Sequence, residues 1–190
     1  MRDPVTEHSA IAATLSGDTH AFAWLVQRYQ HMVHTICFRI LKNTEEAEEA
    51  TQDSFIKAHQ HLDRFQGTSR FSTWLYSIAY RTAISHLRKR GTTTLALEHA
   101  EALGPASLPE QGLDREDRRT ALNKALDKLA PEDAALISLF YLQERSVEEI
   151  VTVTGVSASN VKVKLHRLRK RLLELLQNEL KEEAWTLIES

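Results

Sequence analysis

At 190 residues, with 42% hydrophobic and 26% charged residues, the chain is sized and composed as a soluble protein of one or two domains. Its formal net charge of -2 excludes whole-chain basicity as a route to nucleic acid, so only the distribution of charge can carry such a function. The single cysteine, Cys37, excludes an internal disulfide framework, no run is apolar enough to cross a bilayer, and no signal peptide is visible, so the expected compartment is a reducing cytoplasm. Few glycines and prolines and scarce alternating runs indicate an all-α fold.

In chain order, residues 6–15 form a short helix ended by Ser16-Gly17. Asp18 caps a second helix, in which Phe22, Leu25, Val26, Tyr29, Met32, Val33, Ile36, Ile40 and Leu41 recur at helical spacing to about residue 42. A third helix runs from Asn43-Thr44 to about residue 61. Its acidic first turns (Glu45, Glu46, Glu48, Glu49) suit the positive end of the helix dipole. Ala47, Ala50, Phe55, Ile56 and Leu62 supply its inward face. A loop with Gly67, Thr68 and Ser69 then leads into an aromatic-rich helix closing on Arg88-Lys89-Arg90. From Gly91 to about Leu113 the sequence reads as a linker with room for a brief helix near Glu98. Leu122, Ala125, Leu126 and Leu129 mark the next helix, and Pro131 opens another, holding Leu136, Ile137, Leu139, Phe140 and Leu142. The last two helices span residues 146–154 and 157–181. The plan is two small helical domains joined by a flexible linker: residues 1–90, 91–113 and 114–190.

The C-terminal pair has the order of a helix-turn-helix. Ser146 and Glu149 make a capping box, and Gly155-Val156-Ser157 a tight turn. Helical angles put Val161, Leu165, Leu168 and Leu172 on a core face. Ser159, Val163, His166 and Lys170, flanked by Lys162 and Arg167, lie on the other. Residues 157–173 contain no acid, which fits entry into the major groove. Val163, apolar on that outward face, suits a thymine methyl. In the fourth helix, Phe71, Leu75, Ile78 and Thr82 share one face, and Tyr76, Tyr80, Ala83, Ile84 and Leu87 a second. That leaves Trp74, Ser77, Arg81 and Arg88 on a narrow edge that either contacts single-stranded DNA or belongs to a packed aromatic core. The acidic third helix either meets a basic protein surface or is simply solvated.

Four stretches, residues 17–30, 47–65, 71–83 and 146–172, resemble in order and separation the extracytoplasmic-function subgroup of bacterial RNA polymerase sigma factors. The resemblance implies a non-enzymatic specificity subunit, without metal or cofactor, that carries core RNA polymerase to promoter DNA. It assigns the N-terminal domain to polymerase docking and minus-ten opening, and the C-terminal domain to minus-thirty-five reading. It places Glu49, Gln52, Asp53 and Phe55 at the docking surface. Phe65, Gln66, Gly67, Thr68 and Ser69 become the base-capturing loop of the minus-ten element, followed by Tyr76, Ser77 and Arg81 beside the edge residues Trp74 and Arg88. Lys162, Val163, Lys164, His166 and Arg167 become the minus-thirty-five readers, next to Ser159 and Lys170 of the same face. It also implies an anti-sigma factor, which in this family can be membrane-bound. The chain departs from the family at Glu49, usually Asp, at Arg81, commonly Asn, and at Val151, commonly Ala. Arginine grips phosphate but lacks an amide's paired donor and acceptor, so Arg81 implies an altered minus-ten preference. Two other readings are a stand-alone helix-turn-helix regulator and an enzyme built on His31/His34 or His59/His61. For the latter no carboxylate or cysteine completes a metal set.

Overall fold

The computed structural model describes residues 6–93 and 115–186; the expected linker from residue 94 onward, including the helix near Glu98, lies outside the described residues. All the regular structure described is helical: α1 (Glu7–Leu15), α2 (Thr19–Leu41), α3 (Thr44–Gln60), α4 (Phe71–Thr93), α5 (Arg115–Asp127), α6 (Pro131–Ile137), α7 (Val147–Thr154) and α8 (Ala158–Thr186). A 3-10 turn at Leu62–Arg64 follows α3, and a π turn at Ser138–Leu142 follows α6.

Local chemistry sets the boundaries. The side chains of Thr6, Asp18 and Asn43 each accept a backbone N–H in the first turn of α1, α2 and α3, worth about 1 kcal/mol per cap. Lys42 adopts a left-handed conformation (φ 53°) and closes α2. Helix α4 runs past the expected end at residue 90, taking Gly91 into its last turns. The apolar run through Leu142 reads as one helix, but its last turn widens: the Gln143 N–H donates to the Ser138 carbonyl at 3.0 Å. Periodicity over a single turn does not separate i−4 from i−5 bonding.

In the N-terminal half, α2 is the central element, burying Leu25, Val33, Ile36, Ile40 and Leu41 completely. Small residues of α3 (Ala47, Ala50, Ala58) let α3 pack closely against it. Helix α4 buries Phe71, Leu75, Tyr76, Ala79, Tyr80 and Ala83, as its two opposed apolar faces require. Both faces have partners: α2 and α3 from its own half, and α7 from the other. A polar ladder also ties α3 to α4, through Glu46–Arg90 (3.1 Å), Asp53–His86 (3.0 Å) and Lys57–Thr82 (3.1 Å). In the C-terminal half, Leu126, Ile137, Leu139, Ile150, Val153 and Val161 are buried. With α2 against α6 and α4 against α7, the apolar interiors of the two halves form one continuous core. Cys37 lies fully inside it, and burial pushes its thiol up to about 11, so it is a packing residue rather than a nucleophile.

Candidate nucleic-acid interface

The helix-turn-helix is built by its caps. Ser146 Oγ accepts the Glu149 N–H at 3.2 Å, and Glu149 Oε2 accepts the Ser146 N–H at 3.0 Å, completing the expected capping box. Gly155 ends α7 in the left-handed region (φ 75°), its N–H donating to the Val151 carbonyl at 2.8 Å. A Cβ there would meet nothing within 4 Å, so the constraint is conformational rather than steric crowding. Gly155→Ala is therefore expected to lower stability by about 1–2 kcal/mol in chemical denaturation.

Helix α8 then places Val161, Leu165 and Leu168 inside. Ser159, Lys162, Val163, His166, Arg167 and Lys170 are all exposed on the outer surface. Val163 is 50% exposed, an uncompensated apolar side chain among cations. Lys164 differs from expectation. It is half-buried, and its ammonium donates to Asp133 Oδ1 at 2.6 Å, so its charge is engaged by α6 instead of being presented outward.

The loop before α4 has an aromatic base. Phe65 packs on Phe71 (5.5 Å between ring centres) and on Trp74 (5.4 Å), and Phe71 packs on Trp74 (5.6 Å). Phe65 and Trp74 are thus half-buried supports, with Gln66, Gly67 and Thr68 exposed at the tip. Gly67 turns the chain at φ 69°, and the half-buried Ser69 donates its hydroxyl to the Arg70 carbonyl at 3.4 Å. Along α4 the outward edge is narrower than expected. Tyr76 is fully buried, its hydroxyl donating to Met32 Sδ at 3.0 Å and pushed up to about 12 by burial. Ser77 is 4% exposed and donates to the Trp74 carbonyl at 2.7 Å. Neither reaches the surface, because neighbouring helices cover their faces of α4; Arg81 and Arg88 remain exposed.

Helix α3 presents Glu49 and Gln52 to solvent. Asp53 is only partly outward, with its Oδ2 on His86 Nε2. Phe55 is 6% exposed and belongs to the core. Ile56, expected inside, is 55% exposed and stands in line with Glu49 and Gln52. The i, i+3, i+7 spacing of residues 49, 52 and 56 carries this signal, but hydrophobicity alone assigns Ile56 inward. Of the histidines considered as metal ligands, His34 stacks on Phe38 and His59 packs edge-on against Phe22. Among the described residues no cluster of His, Cys, Asp and Glu forms a metal set.

A helix-turn-helix with a cationic outer face, joined to a helical half that carries a loop on an aromatic base, defines a helical DNA-binding protein. Residues 25–93 match the family model for sigma-70 region 2, and residues 119–172 that for sigma-70 region 4. The chain is 31% identical to the ECF RNA polymerase sigma factor SigW of Bacillus subtilis over 173 residues, covering 85% of this chain and 92% of that protein. It is 32% identical to the RNA polymerase sigma-H factor of Pseudomonas aeruginosa (87% and 91% covered) and to the ECF sigma-E factor of Escherichia coli (90% and 95%). Among solved structures it resembles the sigma factor RpoE of Bartonella quintana bound to the anti-sigma factor NepR. The TM-score is 0.66 at 25% identity, covering 82% of this chain and 96% of that one. CnrH, solved with the cytosolic domain of CnrY, shares the fold at TM-score 0.63 and 23% identity (89% and 96% covered). The chain belongs to the extracytoplasmic-function group of RNA polymerase sigma factors, and so directs transcription initiation by binding core polymerase and promoter DNA.

Proposed function

We propose that residues 1–90 act as the unit that docks on core polymerase and opens the minus-ten element, and residues 114–190 as the unit that reads the minus-thirty-five element, with residues 91–113 joining them. The observation that carries this division is the outer face of α8, where Lys162, Val163, His166, Arg167 and Lys170 are all exposed opposite a buried apolar face. Lys162, Arg167 and Lys170 hold phosphates and set register, while Val163 and His166 meet base edges. Gln66, Gly67 and Thr68 capture an unstacked base, and Arg81 and Arg88 follow the strand's phosphates. Capturing one base returns about 1–3 kcal/mol of stacking against an unstacking cost of a few kcal/mol. The two nearly cancel, so opening depends on polymerase holding the loop in place. Glu49, Gln52 and Ile56 form the docking face, with Asp53 at its margin. The chain acts in the cytoplasm without catalysis of its own; polymerase supplies the chemistry. An anti-sigma factor, as bound to the Bartonella relative, is the expected regulator.

Transcription by core polymerase on a promoter library, with and without this protein, tests the reading. Tight promoter binding by the free chain with no core binding would replace it with a stand-alone regulator. Within the helix-turn-helix, Lys162→Ala is expected to weaken all sequences alike and reduce the salt slope by about one. Val163→Ala changes the preferred base at one position instead. Binding titrations over a salt series read both; equal losses on every sequence for both variants would contradict the assignment.

A further inference from the structure

One flank of α8 does not present the charge that its sequence provides. Lys164, Arg167 and Arg171 recur at i, i+3 and i+7, so they share a stripe along one margin of the outer face. Arg167 is exposed on it. Lys164, one turn nearer the helix start, instead reaches α6, where its ammonium donates to Asp133 Oδ1 at 2.6 Å. A bond of that length between two ions is charge-assisted and among the stronger kinds. Arg171 meets Glu174 only at 3.4 Å, and both of those side chains are exposed. Asp133 is the better anchored acid. Its side chain is 26% exposed, and it stands in the first turn of α6, just before the buried Ala134, Ala135, Leu136 and Ile137.

Asp133 lies outside the helix-turn-helix, which is formed by α7 and α8. An acid in a first helical turn suits the helix dipole, and the pair also fastens α6 to α8. Neither role requires the partner to be a cation of the DNA-facing helix, yet the pairing has an electrostatic consequence for DNA. A lysine bound to a fixed carboxylate brings almost no net charge to a phosphate. Releasing it to DNA leaves the largely covered Asp133 without a partner, beside Glu132 and near a polyanion, which offsets what the new contact returns. The outer face therefore offers Lys162, Arg167 and Lys170 to phosphates, while Lys164 is withheld.

We propose that Asp133 is an affinity-limiting residue for promoter DNA: by holding Lys164 it removes one phosphate contact from α8 and lowers the sequence-independent part of binding. Val163 and His166, which face the bases, stand apart from the pair, so the limit falls on all duplexes alike. Less sequence-independent affinity means less of the protein held on DNA that is not promoter. The proposal rests on the reading of α8 as the minus-thirty-five helix given above.

Salt-series binding of the full chain, loaded on core polymerase, to a duplex carrying the minus-thirty-five element and to a scrambled duplex tests it. The contribution of core is common to all variants and cancels in their differences. Asp133→Asn is expected to tighten binding to both duplexes by about fivefold at about 0.15 M salt and to steepen the salt slope by about one. Lys164→Ala is expected to keep wild-type affinity and slope, and Asp133→Asn combined with Lys164→Ala to return to them. If Asp133→Asn fails to fold, Lys164→Ala carries the test: an unchanged slope supports the proposal, and a slope reduced by about one overturns it, because Lys164 then already contacts phosphate. Unchanged or weaker binding by Asp133→Asn would also overturn it, as would a gain that survives in the double variant, which would belong to the charge of Asp133 itself. Lys162→Ala separates the underlying reading. If its slope is also unchanged, the outer face of α8 does not meet DNA and both fall; if its slope drops while Asp133→Asn does nothing, the proposal alone falls.

Discussion

Ile56→Asp is expected to lower affinity for core polymerase by about thirtyfold, equivalent to ~2 kcal/mol, while leaving helix content and unfolding midpoint unchanged. Ile56 is 55% exposed on a helix whose other outward residues are acidic or polar, so it has no folding role that would account for it. Flanked by Glu49 and Gln52, it has the make-up of an apolar anchor inside a polar rim. A new carboxylate there removes the anchor without creating a cavity, and the change in helix propensity is under ~1 kcal/mol. Phe55→Ala is the contrast. Its ring is in the core, so truncation should cost about 3–5 kcal/mol of stability and lower the melting temperature. Core-binding titrations with a parallel denaturation series separate the two positions. Normal docking by Ile56→Asp would contradict the docking face proposed on α3.

Tyr76→Ala is expected to destabilise the chain by about 3–5 kcal/mol, because a fully buried aromatic is replaced by a cavity between α2, α4 and α7. The loss includes the hydroxyl's contact with Met32 and the surface on which Arg145 rests. Arg81→Ala should change stability by less than about 0.5 kcal/mol, since the side chain is exposed, yet reduce promoter opening by the loaded polymerase. Equilibrium unfolding and a strand-opening assay on the same two variants give opposite patterns if Tyr76 is structural and Arg81 functional. A Tyr76→Ala protein with wild-type stability and no promoter opening would restore Tyr76 to the DNA surface.

The two predictions share a cause in how α4 and α3 were legible. Periodicity in α4 shows two apolar faces, and the structure fills both. It does not show that α7, from the distant half of the chain, is one of the fillers. Tyr76 and Ser77 are therefore buried more deeply than a surface edge allows, while Arg81 and Arg88 keep the exposure expected of them. In α3, hydrophobicity groups Ile56 with Phe55, although adjacent helical residues point about 100° apart and only one can face the core. Lys164 makes the same point for charge: its pattern is basic and outward, but Asp133 on a neighbouring helix engages it.

What the amino-acid sequence determines by itself is everything set within a few residues. The caps at Thr6, Asp18, Asn43 and Ser146, the turn at Gly155 and the two-sided character of α8 all follow from contacts at most a turn or two away. The family pattern is legible for the same reason, being carried by local motifs at fixed spacing. What only the tertiary structure decides is which faces are covered by parts of the chain remote in sequence. Arg145 on Tyr76, Glu149 on Thr73, and Arg39 and Lys42 on the end of α5 join residues roughly 70 to 90 positions apart. No local propensity encodes such contacts; they arise when two amphipathic bundles find complementary surfaces, and they join the two halves through one continuous core.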